Sequence, residues 1–227
     1  MTKLSVVVPM LNEAGDIAGA LNAIRRGARD AEIVVVDGGS SDASVAIARP
    51  LCDFVFVAPR GRARQMNAGA RASHGDVLVF VHADTTVPST FAADIASALS
   101  DPAVVGGRFD VRLDSSALPF RVIGAMISLR SRISRTGTGD QAIFVRRDVF
   151  DRLGGFPQLD LCEDLEFSRR LKRAGRVACL RSRVTTSARR WSRDGIARTV
   201  LKMWLIRAMY LIGVPPARLK RMYADTR

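Results

Sequence analysis

Hydrophobic positions in the first part of the chain come as short uninterrupted blocks separated by longer amphipathic intervals. Residues 4–9 (Leu-Ser-Val-Val-Val-Pro), 32–36 (Glu-Ile-Val-Val-Val), 54–57 (Phe-Val-Phe-Val) and 77–81 (Val-Leu-Val-Phe-Val) are β-branched or aromatic blocks of strand length. Between the first two, Ile17, Leu21 and Ile24 are spaced at three and four, with Asn12 placed to cap that helix. A second helix runs through Val45 and Ala48, and a third opens at residues 61–69. Continuous apolar strands are buried on both faces, which is the habit of parallel sheets. Strand alternating with helix four times predicts βαβ units with right-handed crossovers and helices on both faces of the sheet.

After Pro88 the pattern changes. Residues 91–99 read as a helix and 104–111 alternate like a strand. Residues 118–133 are a mixed helical or loop stretch rich in arginine, followed by the turn-rich 136–141 and a strand at 142–145. Gly154-Gly155-Phe156-Pro157 breaks the chain, and Glu163-Asp164 opens a helix through Phe167, Leu171 and Ala174. Cys179 lies in an apolar, strand-like run and is expected in the core, and a last helix spans 196–213. There are no repeats and no low-complexity linker. The expectation is one α/β domain with a mostly parallel central sheet over residues 1–190, then a basic, amphipathic helical extension over 191–227.

Composition narrows the class. With 48% hydrophobic and 25% charged residues, the 227-residue chain has a globular profile. Its three cysteines show no CxxC spacing, which argues against a disulfide framework and for a reducing compartment. The N-terminus runs straight into a strand, so no signal peptide is expected, and the apolar run 203–214 is too short to span a bilayer. The net charge of +13 is placed unevenly: residues 169–227 hold 17 Lys+Arg and 2 Asp+Glu. Such a tail suits an anionic membrane surface or phosphorylated ligands, and equally a solvated face or a dimer interface. No RNP, zinc or helix-turn-helix signature supports specific nucleic-acid binding. A cytoplasmic location follows, with peripheral contact at the inner face of the cell membrane as an option left open by the tail.

The candidate chemistry sits where strands end. In open α/β sheets, ligands lie outside the carboxyl ends of the strands. Asp37 ends the second strand and His82-Ala83-Asp84 the fourth, so two acids share one sheet edge. Asp84 reads either as a turn cap or as a ligand. Gly38-Gly39 lets backbone approach a flat ligand, while Ser40 and Asp42 are placed to cap the next helix. The chain lacks the dinucleotide fingerprint G-x-G-x-x-G, a P-loop and a G-x-S-x-G elbow. Glu163, Asp164 and Glu166 at a helix start are favoured by the macrodipole whatever else they do.

Five motifs in order resemble a family-2 glycosyltransferase of the GT-A fold. They are Val-Val-Val-Pro-Met-Leu-Asn-Glu (6–13), Val-Val-Val-Asp-Gly-Gly-Ser-Ser-Asp (34–42), Gly-Arg-Ala-Arg-Gln-Met-Asn-Ala-Gly-Ala (61–70), His-Ala-Asp-Thr (82–85), and Gly-Gly-Phe-Pro (154–157) with Glu-Asp-Leu-Glu-Phe (163–167). The resemblance spans residues 4–185 or so. It implies transfer of a sugar, with inversion, from a UDP- or GDP-sugar to an acceptor hydroxyl. Asp37 and Gly38 would hold the nucleotide, and Pro9, Leu11 and Glu13 would line the nucleoside pocket. Asp84 matches the last acid of the family's D-x-D metal motif, for Mn²⁺ or Mg²⁺. His82 and Ala83 stand beside it, and His82 replaces the usual first acid, as in a subgroup with His-Ala-Asp. Asp164 would be the base, with Glu163 shaping the site. Arg64, ahead of Arg62, would meet phosphate; Gly139 and Asp140 would line the acceptor pocket; Arg190 and Trp191 would form a lid. The alternative is a nucleotide-sugar-binding protein with a decayed metal site.

Overall fold

A computed structural model describes residues 2–159, 161–216, 218 and 219, without the side chains of Arg190 and Leu211. The first four strands are β1 (Leu4–Met10), β2 (Glu32–Asp37), β3 (Phe54–Val57) and β4 (Val77–Phe80). They pair in parallel in the order β3-β2-β1-β4, with Met10 opposite Asp37. The crossovers are α1 (Ile17–Gly27), α2 (Ser44–Ala48) and α3 (Arg62–Ala72). Alternation along these strands feeds two cores. Val6, Val8, Ile33 and Val35 face α1, whereas Val7, Val34 and Val36 face Ala63, Met66 and Ala70 of α3. Gly69 lets α3 lie close on the sheet, since a Cβ there would stand 2.4 Å from Val7 and 2.9 Å from Val36.

The second half adds β5 (Thr85–Thr86), α4 (Phe91–Leu99), β6 (Val104–Leu113), α5 (Leu118–Ser134), β7 (Ile143–Arg146), α6 (Arg147–Arg152), α7 (Glu163–Ala174) and β8 (Arg176–Thr186). These strands extend one eight-stranded sheet in the order β3-β2-β1-β4-β7-β6-β8-β5. Here the sheet is mixed: β7 runs antiparallel to both β4 and β6, β5 antiparallel to β8, and only β6–β8 is parallel. The parallel expectation thus holds for the first half, where helical crossovers return each strand in the same sense, and gives way where they do not.

Three local expectations change. Asn12 does not cap α1, whose N-cap is Asp16; Asn12 instead takes a positive φ of 54° in the turn after β1. Residues 118–134 form one continuous helix, α5. Cys179 is half-buried on β8 rather than in the core, because that strand lies near the sheet's far edge. The chain continues through α8 (Arg189–Asp194) into α9 (Ile196–Leu211). Trp191 is buried in the same core as α1 and α4, with Ile196, Val200 and Met203 packed on it. No helix among the described residues is long and apolar enough to cross a membrane.

Candidate active site

The turns after β1 and β2 are stitched together at the sheet edge. Gln65 of α3 donates from Nε2 to the carbonyls of Met10 (2.9 Å) and Val36 (2.8 Å). The Asp37 carboxylate, 2% exposed, accepts the N–H groups of Gly39 (3.0 Å) and Ser40 (2.9 Å) and the Ser40 hydroxyl (2.5 Å). Asn12 N–H donates to Ser40 Oγ, and Ser41 N–H to Asn12 Oδ1, both at 2.9 Å. Glu13 N–H donates to Ser44 Oγ at 2.7 Å. Asp42 accepts from Ser44, which holds its carboxyl below the usual carboxylate range.

The fourth strand ends one residue earlier than its apolar run, at Phe80. Thr85 N–H donates to the His82 carbonyl at 3.0 Å, so His82-Ala83-Asp84 is a turn between β4 and β5. His82 is buried, Ala83 belongs to the apolar core and Asp84 is half-buried. Against His82 lies a short 3₁₀ turn, Gly139–Gln141, closed by reciprocal bonds between Thr138 and Gln141. A Cβ at Gly139 would stand 2.4 Å from His82 Nε2, so only glycine lets this backbone come so near. From the other side, Gly139 N–H donates to Asp164 Oδ2 at 2.8 Å. Asp164 Oδ1 accepts Leu165 N–H at 2.7 Å, which fixes the carboxylate at the start of α7.

Around this pair the field is mixed. Burial pushes the Asp140 carboxyl up, against a hydrogen bond from Thr138 Oγ1 at 2.5 Å and the charge of Arg130, and with the neighbouring Asp164 charge adding to the rise. Cys162, in a left-handed conformation just before α7, has its thiol pushed up to about 12 by burial and by Asp164 and Glu163. Arg189 Nη2 bridges Glu13 and Asp16, at 2.7 Å each, and also feels the charge of Asp84. Arg130 of α5 and Arg207 of α9 approach the Asp164 end, and burial lowers both guanidinium pKa values.

The loop leading to α7 is clamped from α3. Asn67 donates from Nδ2 to the Phe156 carbonyl (2.8 Å) and accepts Phe156 N–H at Oδ1 (2.9 Å). The Phe156 ring packs 4.3 Å from Phe167 and 4.7 Å from Phe80, centroid to centroid.

These pieces surround one cleft of about 780 Å³. Of the residues singled out by the sequence, Glu13, His82, Asp84, Gly139, Asp140, Glu163, Asp164 and Trp191 line it. Pro9, Asp37 and Ala83 are buried beside it, with Leu11 and Gly38 half-buried at the same edge. Arg64 is exposed on α3, while Arg62, two residues before it, lines the cleft. The Arg190 side chain lies outside the described residues. Sequence reasoning passed over Gln65, Arg189, Arg130 and Arg207. Arg207 carried a signal: it is the only charge in the apolar run 203–214.

Residues 5–156 match the sequence profile of glycosyl transferase family 2. The chain belongs to that family. In keeping with this family-2 assignment, it is 26% identical over 188 residues to the glycosyltransferase AglE of Haloferax volcanii, the match covering 76% of the chain and 62% of AglE. The mannosyltransferase PcManGT of Pyrobaculum calidifontis, solved with GDP-Man and Mn²⁺, shares the fold at TM-score 0.66 and 22% identity, over 91% of this chain and 61% of that one. S. aureus TarS does so at TM-score 0.66 and 20% identity, over 82% of this chain and 36% of TarS. TarS 1-349 has been solved with UDP-GlcNAc. The family-2 chain therefore spans less than two thirds of the length of these relatives, and the GT-A-like fold is what the structural likeness establishes.

The donor set can be tested against the cation expected for this family. Among the described residues, no group of three or more His, Cys, Asp or Glu side chains converges as a metal cage. Mg²⁺ and Mn²⁺ do not require one, because such ions are commonly held by one or two carboxylates plus substrate phosphates and water. Asp84, half-buried and facing the cleft, fits that role.

Proposed function

We propose that this chain is a nucleotide-diphosphate-sugar-dependent glycosyltransferase that inverts the transferred sugar. The reading rests on one observation above others: Asp84 and Asp164 line a single cleft, joined through the His82–Gly139–Asp164 contact although 80 residues separate them. Asp37 and the Asn12–Glu13 turn form the nucleotide end. Asp164 takes the proton of the acceptor hydroxyl, whose oxygen attacks C1 of the donor sugar as the bond from C1 to the diphosphate oxygen breaks. The nucleoside diphosphate leaves with that electron pair. The Gly139 N–H and the Leu165 N–H hold the carboxylate in place, which supplies orientation. Asp84 would hold Mn²⁺ or Mg²⁺ together with the donor, and the ion would supply charge neutralisation for the leaving diphosphate. Arg189 keeps Glu13 and Asp16 neutralised at that end, and Trp191 anchors α8 over it.

The same reading includes contact with an anionic bilayer. Exposed apolar residues line one side of α5 (Leu118, Val122, Met126, Leu129, Ile133) and of α9 (Leu201, Trp204, Leu205), with exposed Ile212 just past its end. Met126 and Trp204 also line the cleft, so the two stripes meet at its mouth. Exposed Arg121, Arg135 and Arg198 accompany them, in a chain whose last 59 residues carry the whole basic excess. A second copy would bring like charges together; an anionic surface complements them.

The direct test is release of UDP or GDP from a panel of nucleotide sugars, with Mn²⁺ or Mg²⁺ present. Release with at least one donor that drops in Asp84→Ala and Asp164→Asn supports the reading. Tight, metal-independent nucleotide binding without turnover would favour the binding-protein alternative.

A further inference from the structure

Two arginines at the Asp164 end of the cleft each keep one buried N–H group without a hydrogen-bond partner among the described residues. Arg130, from α5, and Arg207, from α9, both line the cleft, and Arg130 Nε and Arg207 Nη1 are buried without a hydrogen-bond partner among the described residues. Their remaining bonds are weak: Arg130 Nη2 to Thr138 Oγ1 at 3.5 Å and Arg207 Nη2 to Thr136 Oγ1 at 3.3 Å. No carboxylate among the described residues comes within ion-pair distance of either; the closest acids in charge terms, Asp140 and Asp164, are bound to Thr138, Gly139 and Leu165 instead. Asp110 is taken by Arg108 (2.5 Å) and Arg132 (2.6 Å). Arg207 sits in the field of Arg130, and Arg130 in turn in that of Arg108, and each like charge adds to burial in loosening the hold on the proton.

Two like charges held together, partly dry and under-bonded, are costly without a counter-anion. Such a pair is satisfied by an anion with several acceptor oxygens. The donor diphosphate is a poor match for position. Arg189, not this pair, shares the field of Asp84 with Glu13 and Asp16, whereas Arg130 and Arg207 share that of Asp164. The wall above the pair is apolar, formed by Ile123, Met126 and Ile127 of α5 and Met203, Trp204 and Ile206 of α9.

We propose that Arg130 and Arg207 form an anion subsite that holds a phosphate group of the acceptor, beside the base Asp164 and under an apolar wall. The phosphate belongs either to a soluble phosphorylated acceptor or to a lipid headgroup; the chemistry at the arginines is the same. Assigning it to the acceptor rests on Asp164 being the base of the proposed transfer.

The test is thermal unfolding of the purified full chain and of R130Q, R207Q and the double variant, with inorganic phosphate or chloride at equal ionic strength. Phosphate is expected to raise the Tm of the parent and to leave the double variant unmoved. In chloride, the variants are expected to melt at or above the parent's temperature, because a neutral amide removes buried repulsion; variants that unfold before the parent would assign these arginines to the fold. The conservative pair R130K and R207K keeps charge, and should retain part of the phosphate shift. Equal phosphate shifts in parent and double variant, or none in either, would overturn the subsite.

Binding of UDP and GDP is measured in parallel. If the double variant loses nucleotide binding tenfold or more, the arginines serve the donor and the acceptor assignment falls. If no nucleotide binds to any form, the transferase reading falls while the phosphate shift still stands or fails by itself. Glycerol 3-phosphate and phosphatidic acid in micelles then separate the sources. A shift with the first but not the second places a soluble phosphate there, and a larger shift with the second places a lipid headgroup; both support the subsite.

Discussion

Asn67 and Phe156 are joined by a reciprocal pair of hydrogen bonds across 89 residues, side-chain amide to main-chain peptide. The pair ties α3, which packs on the parallel half of the sheet, to the loop that enters α7 and so to Glu163 and Asp164. Both bonds are buried, and the Gly155 that precedes Phe156 has no room for a Cβ, which would stand 2.6 Å from Asn67 Oδ1.

Replacing Asn67 with alanine leaves a buried peptide N–H and a buried carbonyl unpaired. The expected cost is about 2–4 kcal/mol of stability, from two groups at roughly 1–3 kcal/mol each with partial relaxation. Urea unfolding followed by circular dichroism measures it; a midpoint equal to the parent's would show that water replaces both bonds.

Asp164→Asn keeps the size of the side chain and one of its two backbone bonds, from Gly139 or Leu165 N–H, but removes the base. Donor binding should be unchanged while kcat falls roughly 10²–10⁴-fold, the range for loss of a general base. Single-turnover transfer compared with nucleotide affinity separates the two; an equal loss of both would make Asp164 a structural residue.

Gly139→Ala drives a methyl group into the His82 ring. Because the same backbone N–H holds Asp164, activity should suffer more than stability, by tenfold or more for a displacement of the base on the order of 1 Å. A variant with full activity and a normal melting temperature would remove the His82–Gly139 contact from the site.

Asp140 gives a pH dependence of definite sign. Burial raises its folded pKa above the 3.8 of a free aspartate, so between the two values the folded state binds more protons than the unfolded. Its contribution to stability is therefore full below the unfolded pKa and is lost as pH rises through the folded one. Asp140→Asn should be more stable than the parent at pH 7 and should show a flatter urea midpoint between pH 4 and pH 7. An unchanged slope would mean that the carboxyl has the same pKa in both states.

Trp204 is 66% exposed and Trp191 is buried, so intrinsic fluorescence reports on the α9 stripe. Vesicles containing an anionic lipid should shift the emission of the parent to the blue and leave that of Trp204→Phe unmoved, with the effect fading at high salt as expected of a basic surface. No shift at low salt would remove the bilayer contact from the reading.

Much of this molecule was written in local pattern. The strand blocks at 4–9, 32–36 and 77–81 were legible because both faces of those strands are buried and so carry mostly apolar residues, whereas 54–57, an edge strand with Phe54 and Val57 exposed, was legible from its β-branched and aromatic residues. The acids at strand ends and the Glu163-Asp164 helix start were legible because ligand sites in such folds sit at the strand ends and helix termini that the chain itself marks. What local pattern could not carry was partnership at long range. The mixed second half of the sheet depends on which strand β7 lies against, not on its own residues. Arg62 and Arg64 look alike in sequence, and only the winding of α3 turns the first toward the cleft and the second to solvent. Arg130 and Arg207 lie 77 positions apart, on helices whose sequences give no reason to pair them. The chain alone fixed the elements and the candidate acids, through periodicity and strand-end chemistry. The tertiary structure alone brought two under-bonded guanidinium groups to the side of Asp164, because charge proximity is set by packing between helices rather than by neighbours along the chain.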